Sequence, residues 1–190
     1  LNNNKNLGVS KSRNKGINFS KGKYLIFLDS DDYISKNSLN YLESFIEQSK
    51  DPDVVFTKYW KDTYPSSNLE IINACNKKNK NYFFNYILKK KFPLDECWPY
   101  VVKRDFIKKN KINFDNFRVA EDQLYVLKVF LNMKNFSFFK RNFYMHQNLS
   151  NTLSDFMNFE AGFDCLKVLI QYLKIKKKTK NITFYKLCEF

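Results

Sequence analysis

Three aspartates, Asp29, Asp31 and Asp32, follow directly on an apolar run at residues 24–28. A short continuous apolar stretch bounded by Gly22 and a polar cluster reads as a strand buried on both faces, as in a parallel α/β sheet. Carboxylates at the end of such a strand face the crevice beyond the sheet edge, where open α/β folds bind ligands. Carboxylates this close repel one another unless a cation lies between them. A hard divalent ion with oxygen ligands removes that repulsion and keeps positions open for phosphate oxygens. The chemistry implied is metal-assisted handling of a diphosphate. The bland alternative is an acidic turn leading into the helix near Ser38. A second acidic pair, Glu121-Asp122, opens a segment with apolar residues at Leu124, Leu127, Phe130 and Leu131. A carboxylate in the first turn of a helix is stabilised as the anion, so ordinary helix-start chemistry also accounts for this pair.

The elements that must position these groups follow from periodicity. Residues 8–20 read as a helix entered from a polar loop, 24–28 as the buried strand, and 38 to just before Asp51-Pro52 as an amphipathic helix. Residues 53–60 read as a second strand and 61–81 as loop. Helix is expected at 82–88, strand at 98–102, a basic helix at 104–110 and a core-facing helix at 121–133. A weakly alternating strand follows at 136–144. Phe156, Phe159, Phe163, Leu166, Leu169 and Leu173 then form a helical stripe before the basic run 174–180. Strand and helix alternate early and helices dominate late, which predicts an α/β sheet with a helical C-terminal part. The division expected is a domain at 1–153 and a helical segment at 154–190.

With 190 residues, 44% apolar and 18% aromatic, the chain can bury a substantial core, and composition argues against intrinsic disorder. No apolar run is long enough to span a bilayer. The net charge of +14 favours anionic partners, although a Lys-, Asn-, Ile- and Phe-rich bias of AT-rich coding gives the same charge without any partner. The four cysteines form no C-x-x-C pair and no zinc spacing with the lone His146, which points to free thiols in a reducing compartment. Leu1 in place of an initiator Met suggests a piece of a longer chain.

The residues around the aspartates carry a resemblance. Asn6-Leu7-Gly8-Val9-Ser10-Lys11-Ser12-Arg13-Asn14-Lys15-Gly16, then Gly22-Lys23-Tyr24, the apolar run and Asp29-Ser30-Asp31 resemble the G-x-S-x-x-R-N-x-G and D-x-D pattern of the family 2 glycosyltransferases. Trp98-Pro99-Tyr100, Ile112-Asn113-Phe114 and Glu121-Asp122 look like the acceptor-side half of the same family, and residues 144–152 resemble its closing Y-x-Y/H segment.

The resemblance implies a GT-A, Rossmann-like nucleotide-diphospho-sugar transferase fold. It further implies a metal-dependent, inverting transfer of a sugar to a hydroxyl of a surface glycan, as in polysaccharide, lipopolysaccharide or capsule synthesis. Asp31 would then hold Mn²⁺ or Mg²⁺, Asp29 the ribose or the metal, and Arg13 and Asn14 would lie against the nucleotide. Asp32 would stand behind the ligands and Asp122 would be the base. Glu121, a Trp98 stacked on an acceptor sugar and a His146 touching the diphosphate are weaker candidates. A UDP-sugar is the expected donor and a glycan or glycolipid the acceptor, with a cytoplasmic location, at the inner face of the inner membrane. The family's nucleobase-gripping first unit has no counterpart before Leu1, so the sheet is expected to be partial and this piece could be inactive.

Two other readings compete. A haloacid-dehalogenase-like phosphatase would use Asp29 and Asp31 as nucleophile and acid/base, but Tyr33 stands where its motif wants Thr or Val. A non-enzymatic basic module binding nucleic acid or anionic membrane would use the 174–180 run.

Overall fold

The computed structural model describes residues 5–61, 64–65, 96–117, 120–147 and 159–178. The elements are α1 (Val9–Phe19), β1 (Tyr24–Leu25), β2 (Tyr33–Ile34), α2 (Ser38–Gln48), β3 (Val54–Lys61), β4 (Tyr64–Pro65), β5 (Tyr100–Lys103), α3 (Arg104–Lys109), α4 (Glu121–Asn132), β6 (Phe136–His146) and α5 (Phe159–Lys178). The helix expected at 82–88 and the closing residues 148–152 lie outside the described residues.

One mixed sheet organises the fold, in the order β1-β5-β3-β6-β2, with β4 paired to β3. The β3–β6 pair is parallel, and β1–β5, β3–β5, β2–β6 and β3–β4 are antiparallel. Side chains alternate across a strand, and the central strands are apolar on both sides. Val54, Phe56, Tyr100 and Val102 face one core with Leu124, Tyr125, Leu127 and Phe130 of α4 and Phe106 and Ile107 of α3. Val55 and Val101 face the other, with Leu42 and Ile46 of α2 and Trp98, Phe139, Phe143 and Tyr144. The buried α/β character expected of the sheet is therefore met by β3 and β5.

It is not met where it was expected most. The run 24–28 forms a ladder over two residues only, antiparallel to β5 rather than parallel. Leu25 is buried, whereas Leu28 is 49% exposed. Strand β1 stands at the end of the described sheet order, so it has a ladder partner on one side. Ile26 and Phe27 leave the ladder and pack against opposite cores.

Two entries into helices matter for the site. Gly8 takes φ 78°, a conformation that glycine adopts without a side-chain clash, and its carbonyl receives the Ser12 N–H and hydroxyl. Ala120, just before α4, takes φ 58°, a left-handed conformation with no side-chain cap. The α5 stripe is helical as expected, but Leu166, Leu169 and Leu173 are exposed and Val168 is buried. No helix among the described residues is long and apolar enough to cross a membrane.

Candidate active site

Arg13, on α1, stands at the centre of the site. Its guanidinium lies over the Phe114 ring at 5.3 Å. Phe114 in turn stacks on Tyr125 at 4.1 Å, and Phe27 meets both rings edge-on. This aromatic floor fixes where the cation sits. Arg13 Nη2 donates to Asp29 Oδ1 at 2.9 Å, and Nη1 donates to Glu121 Oε1 at 2.9 Å and to Asp122 Oδ1. One guanidinium thus joins the carboxylate at the end of the β1 segment to both carboxylates of the first turn of α4. The fold brings together residues 16 and 109 positions from Arg13. The other oxygen of Asp122 accepts the Cys97 backbone N–H at 3.1 Å.

Three carboxylates share this cation, and two of them, Glu121 and Asp122, are largely buried. Burial, reinforced by the charge of Asp122, raises Glu121 to about 7. Burial also raises Asp122, against the opposing pull of Arg13 and the Cys97 N–H. Burial works against charge on Arg13 as well, but the carboxylates of Asp122 and Asp29 outweigh it and hold the guanidinium above its ordinary value. The Cys97 thiol is pushed well up, by burial first and Asp122 second, so it stays protonated at neutral pH. The Tyr125 hydroxyl is buried with no hydrogen-bond partner among the described residues.

The remaining aspartates part company. Asp31 is partly exposed and has no ion pair or hydrogen bond among the described residues. The Asp32 side chain is fully buried. Its carboxylate accepts the Tyr144 hydroxyl at 2.5 Å and the Gln147 N–H at 2.9 Å, with His146 Nδ1 at 3.2 Å. Tyr144 Oη also accepts the Asp29 N–H at 3.2 Å. Asp32 therefore clasps the aspartate loop to the end of β6.

Asn14 turns away likewise. Its amide donates to the Phe114 carbonyl at 2.8 Å and its oxygen accepts the Phe114 N–H at 2.9 Å. Both ends of its side chain thus tie α1 to the segment under Arg13. Trp98 is a core residue, 3% exposed, stacked on Tyr144 at 4.5 Å and on His146 at 5.5 Å. That packing closes it to an acceptor sugar in this structure. His146 is held by Asp32 on one ring nitrogen and by Trp98 on its face.

The sequence reading missed Cys97, Tyr144 and Phe114 as parts of the site. Tyr144 stood inside the closing segment already singled out, and Cys97 stood beside Trp98. Neither residue type announces a backbone N–H or a hydroxyl aimed at a carboxylate.

The profile described as glycosyl transferase family 2 matches residues 1–109, more than half of the chain. The chain belongs to glycosyl transferase family 2. Among curated relatives, this family 2 chain is similar to the cholesterol galactosyltransferase of Borreliella burgdorferi, 25% identical over 195 residues that cover 94% of this chain and 53% of the relative. It is also similar to the poly(ribitol-phosphate) β-N-acetylglucosaminyltransferase TarP of Staphylococcus aureus, 31% identical over 141 residues, 70% of this chain and 40% of the relative. The crystal structure of S. aureus TarS 1–349 in complex with UDP-GlcNAc superposes with a TM-score of 0.67 at 20% identity, covering 94% of this chain and 50% of that one. The chain thus spans about half the length of the relatives it matches, and its architecture is that of a partial GT-A fold. The family assignment leaves the phosphatase reading of Asp29 and Asp31 without support.

Proposed function

We propose that this chain carries the donor-side and base-bearing residues of a glycosyltransferase that moves a sugar from a nucleotide-diphosphate donor to a hydroxyl of a glycan or glycolipid. One observation carries the reading: a single arginine holds the aspartate-loop carboxylate Asp29 and the helix-start carboxylates Glu121 and Asp122 in one cluster. A donor motif and a base must meet at the sugar's anomeric carbon, and these two groups meet. A UDP-sugar is the donor we favour, because S. aureus TarS has been solved with UDP-GlcNAc and with UDP.

In this reading Asp122 takes the proton of the acceptor hydroxyl as that oxygen attacks the anomeric carbon. The new C–O bond forms on one face while the bond to the diphosphate breaks on the other, which inverts the centre. Asp122 suits the role because it is placed by the first turn of α4, by Cys97 N–H and by Arg13.

The residues also fit a divalent cation. Among the described residues no group of three or more His, Cys, Asp or Glu could hold a metal by itself. An ion that shares its shell with substrate phosphates needs only one or two carboxylates. Asp31, a loop carboxylate with no partner among the described residues, would be the ligand, with Asp29 beside it. Mn²⁺ or Mg²⁺ bound there with the diphosphate supplies offsetting charge for the departing phosphate oxygens. The site would work at the cytoplasmic face of a membrane whose anionic lipids attract the +14 chain.

Calorimetric titration with UDP, with and without Mn²⁺, tests the donor side. Binding should require the metal and weaken at least tenfold in Asp31→Ala. Metal-independent binding that survives Asp31→Ala would refute the assignment of Asp31.

A further inference from the structure

The resemblance places Arg13 against the nucleotide, yet among the described residues each hydrogen bond its guanidinium makes is to a protein carboxylate. The geometry of those bonds is specific. Arginine presents a planar fork of donors, so its two terminal nitrogens can serve two acceptors in fixed directions at once. Nη2 is engaged by Asp29 and Nη1 by Glu121 and Asp122. The guanidinium plane rests on Phe114, and the α1 turn that carries it is tied to Phe114 by the paired hydrogen bonds of Asn14. The cation is only 13% exposed, and its partners are carried by two elements that approach each other across the site.

We propose that Arg13 is a positioning residue that acts through Asp122: its fork orients the Asp122 carboxylate and mechanically links it to the donor-side Asp29. The inference rests on the reading of Asp122 as the base. Asp122 is faced by Arg13 from α1, by Asp29 from the loop after β1, by Cys97 from the segment before β5, and by Glu121 and Tyr125 on α4 itself. Of these five, Arg13 alone is positively charged. Take it away and the carboxylate keeps its burial and its acidic neighbours but loses the charge that offsets them, so its affinity for a proton rises. A base that is already protonated cannot accept the acceptor's proton.

The test is a ¹³C NMR titration of the Asp122 side-chain carboxyl in the full-length enzyme, with Asp122→Asn identifying the resonance. In Arg13→Met the midpoint should move up by one pH unit or more, a tenfold or larger gain in proton affinity. Arg13→Lys keeps the charge without the fork and should move it severalfold in the same direction. An unmoved midpoint in Arg13→Met overturns the proposal. If that variant does not fold, an unmoved midpoint in Arg13→Lys overturns it instead. Calorimetry with UDP and Mn²⁺ on the same variants adds a second criterion. A tenfold loss of UDP affinity with an unmoved Asp122 midpoint would make Arg13 a donor contact and nothing more, contrary to the proposal. Failure of the base reading shows separately, as Asp122→Asn retaining wild-type transfer while the Arg13 effect on the midpoint persists.

Discussion

Two clusters a few ångströms apart treat the same residue type in opposite ways. Around Asp32, a single buried carboxylate meets the Tyr144 hydroxyl, the Gln147 N–H and the His146 ring, so the anion is saturated with donors. Around Arg13 the ratio reverses, with one cation shared by Asp29, Glu121 and Asp122. A saturated carboxylate has little left to offer a ligand, and its geometry locks neighbouring elements together. An under-compensated set leaves burial free to raise the proton affinity of Glu121 and Asp122 and keeps room to exchange partners, which is the condition for acid–base work. Asp29 and Asp32 sit in one loop, and what separates their roles is the partners that the fold supplies.

The contrast can be broken at its strongest point first. Asp122→Asn should lower sugar transfer by about 10³-fold, the range expected for loss of a positioned base, with UDP affinity changed less than threefold. Steady-state rates alongside calorimetry check this, and wild-type transfer by Asp122→Asn would end the distinction between the clusters. Asp32→Ala should show its effect in stability. Removing the acceptor strands the buried Tyr144 hydroxyl and the Gln147 N–H, at a cost of about 3 kcal/mol in urea unfolding. A variant within a few tenths of wild type would show that the clasp is not what it appears.

The subtlest contrast concerns Glu121. Its proton is held up to about pH 7 in the folded chain, whereas an ordinary Glu releases it near 4.5. Between those values the native state binds more protons than the unfolded one, so the stability this group contributes declines as pH rises from 4.5 to 7. Glu121→Gln should flatten that decline, read as urea midpoints at pH 5 and pH 7. An unchanged slope would mean that Glu121 ionises as it would in solution.

Much of the framework was legible from periodicity. The bounds of α1, α2, β3, α3, α4 and β6 fall within a residue or two of those read from the apolar spacing, because each buries a face that the sequence marks. The run 24–28 misled because a continuous apolar stretch says that side chains will be covered, not that the backbone will be laddered. Ile26 and Phe27 are partly covered by the two cores without any strand partner. The α5 stripe misled differently, since periodicity reveals a helix but not which side another element will cover.

In the site, the resemblance brought out Arg13, Asp29 and Asp122, which the fold does assemble. It also brought out Asn14 and Asp32, which the fold commits to Phe114 and to β6. Side-chain chemistry is written in a residue's identity, but the partner that will claim it is decided by tertiary packing. That is why Cys97 and Tyr144, with no reactive signature in this context, went unread.

The left-handed Ala120 gives the site one more property. An alanine at φ 58° stands about 1–2 kcal/mol above its relaxed backbone, a strain that glycine would escape. Glycine there would also let the chain enter α4 from many angles, whereas alanine leaves few. The residues delivered by that bend are Glu121 and Asp122. Because glycine also adds freedom to the unfolded chain, which offsets the strain it relieves, natural variation to glycine here would be quiet in a melting curve yet audible in turnover, as a base that arrives at its substrate from a wider spread of directions.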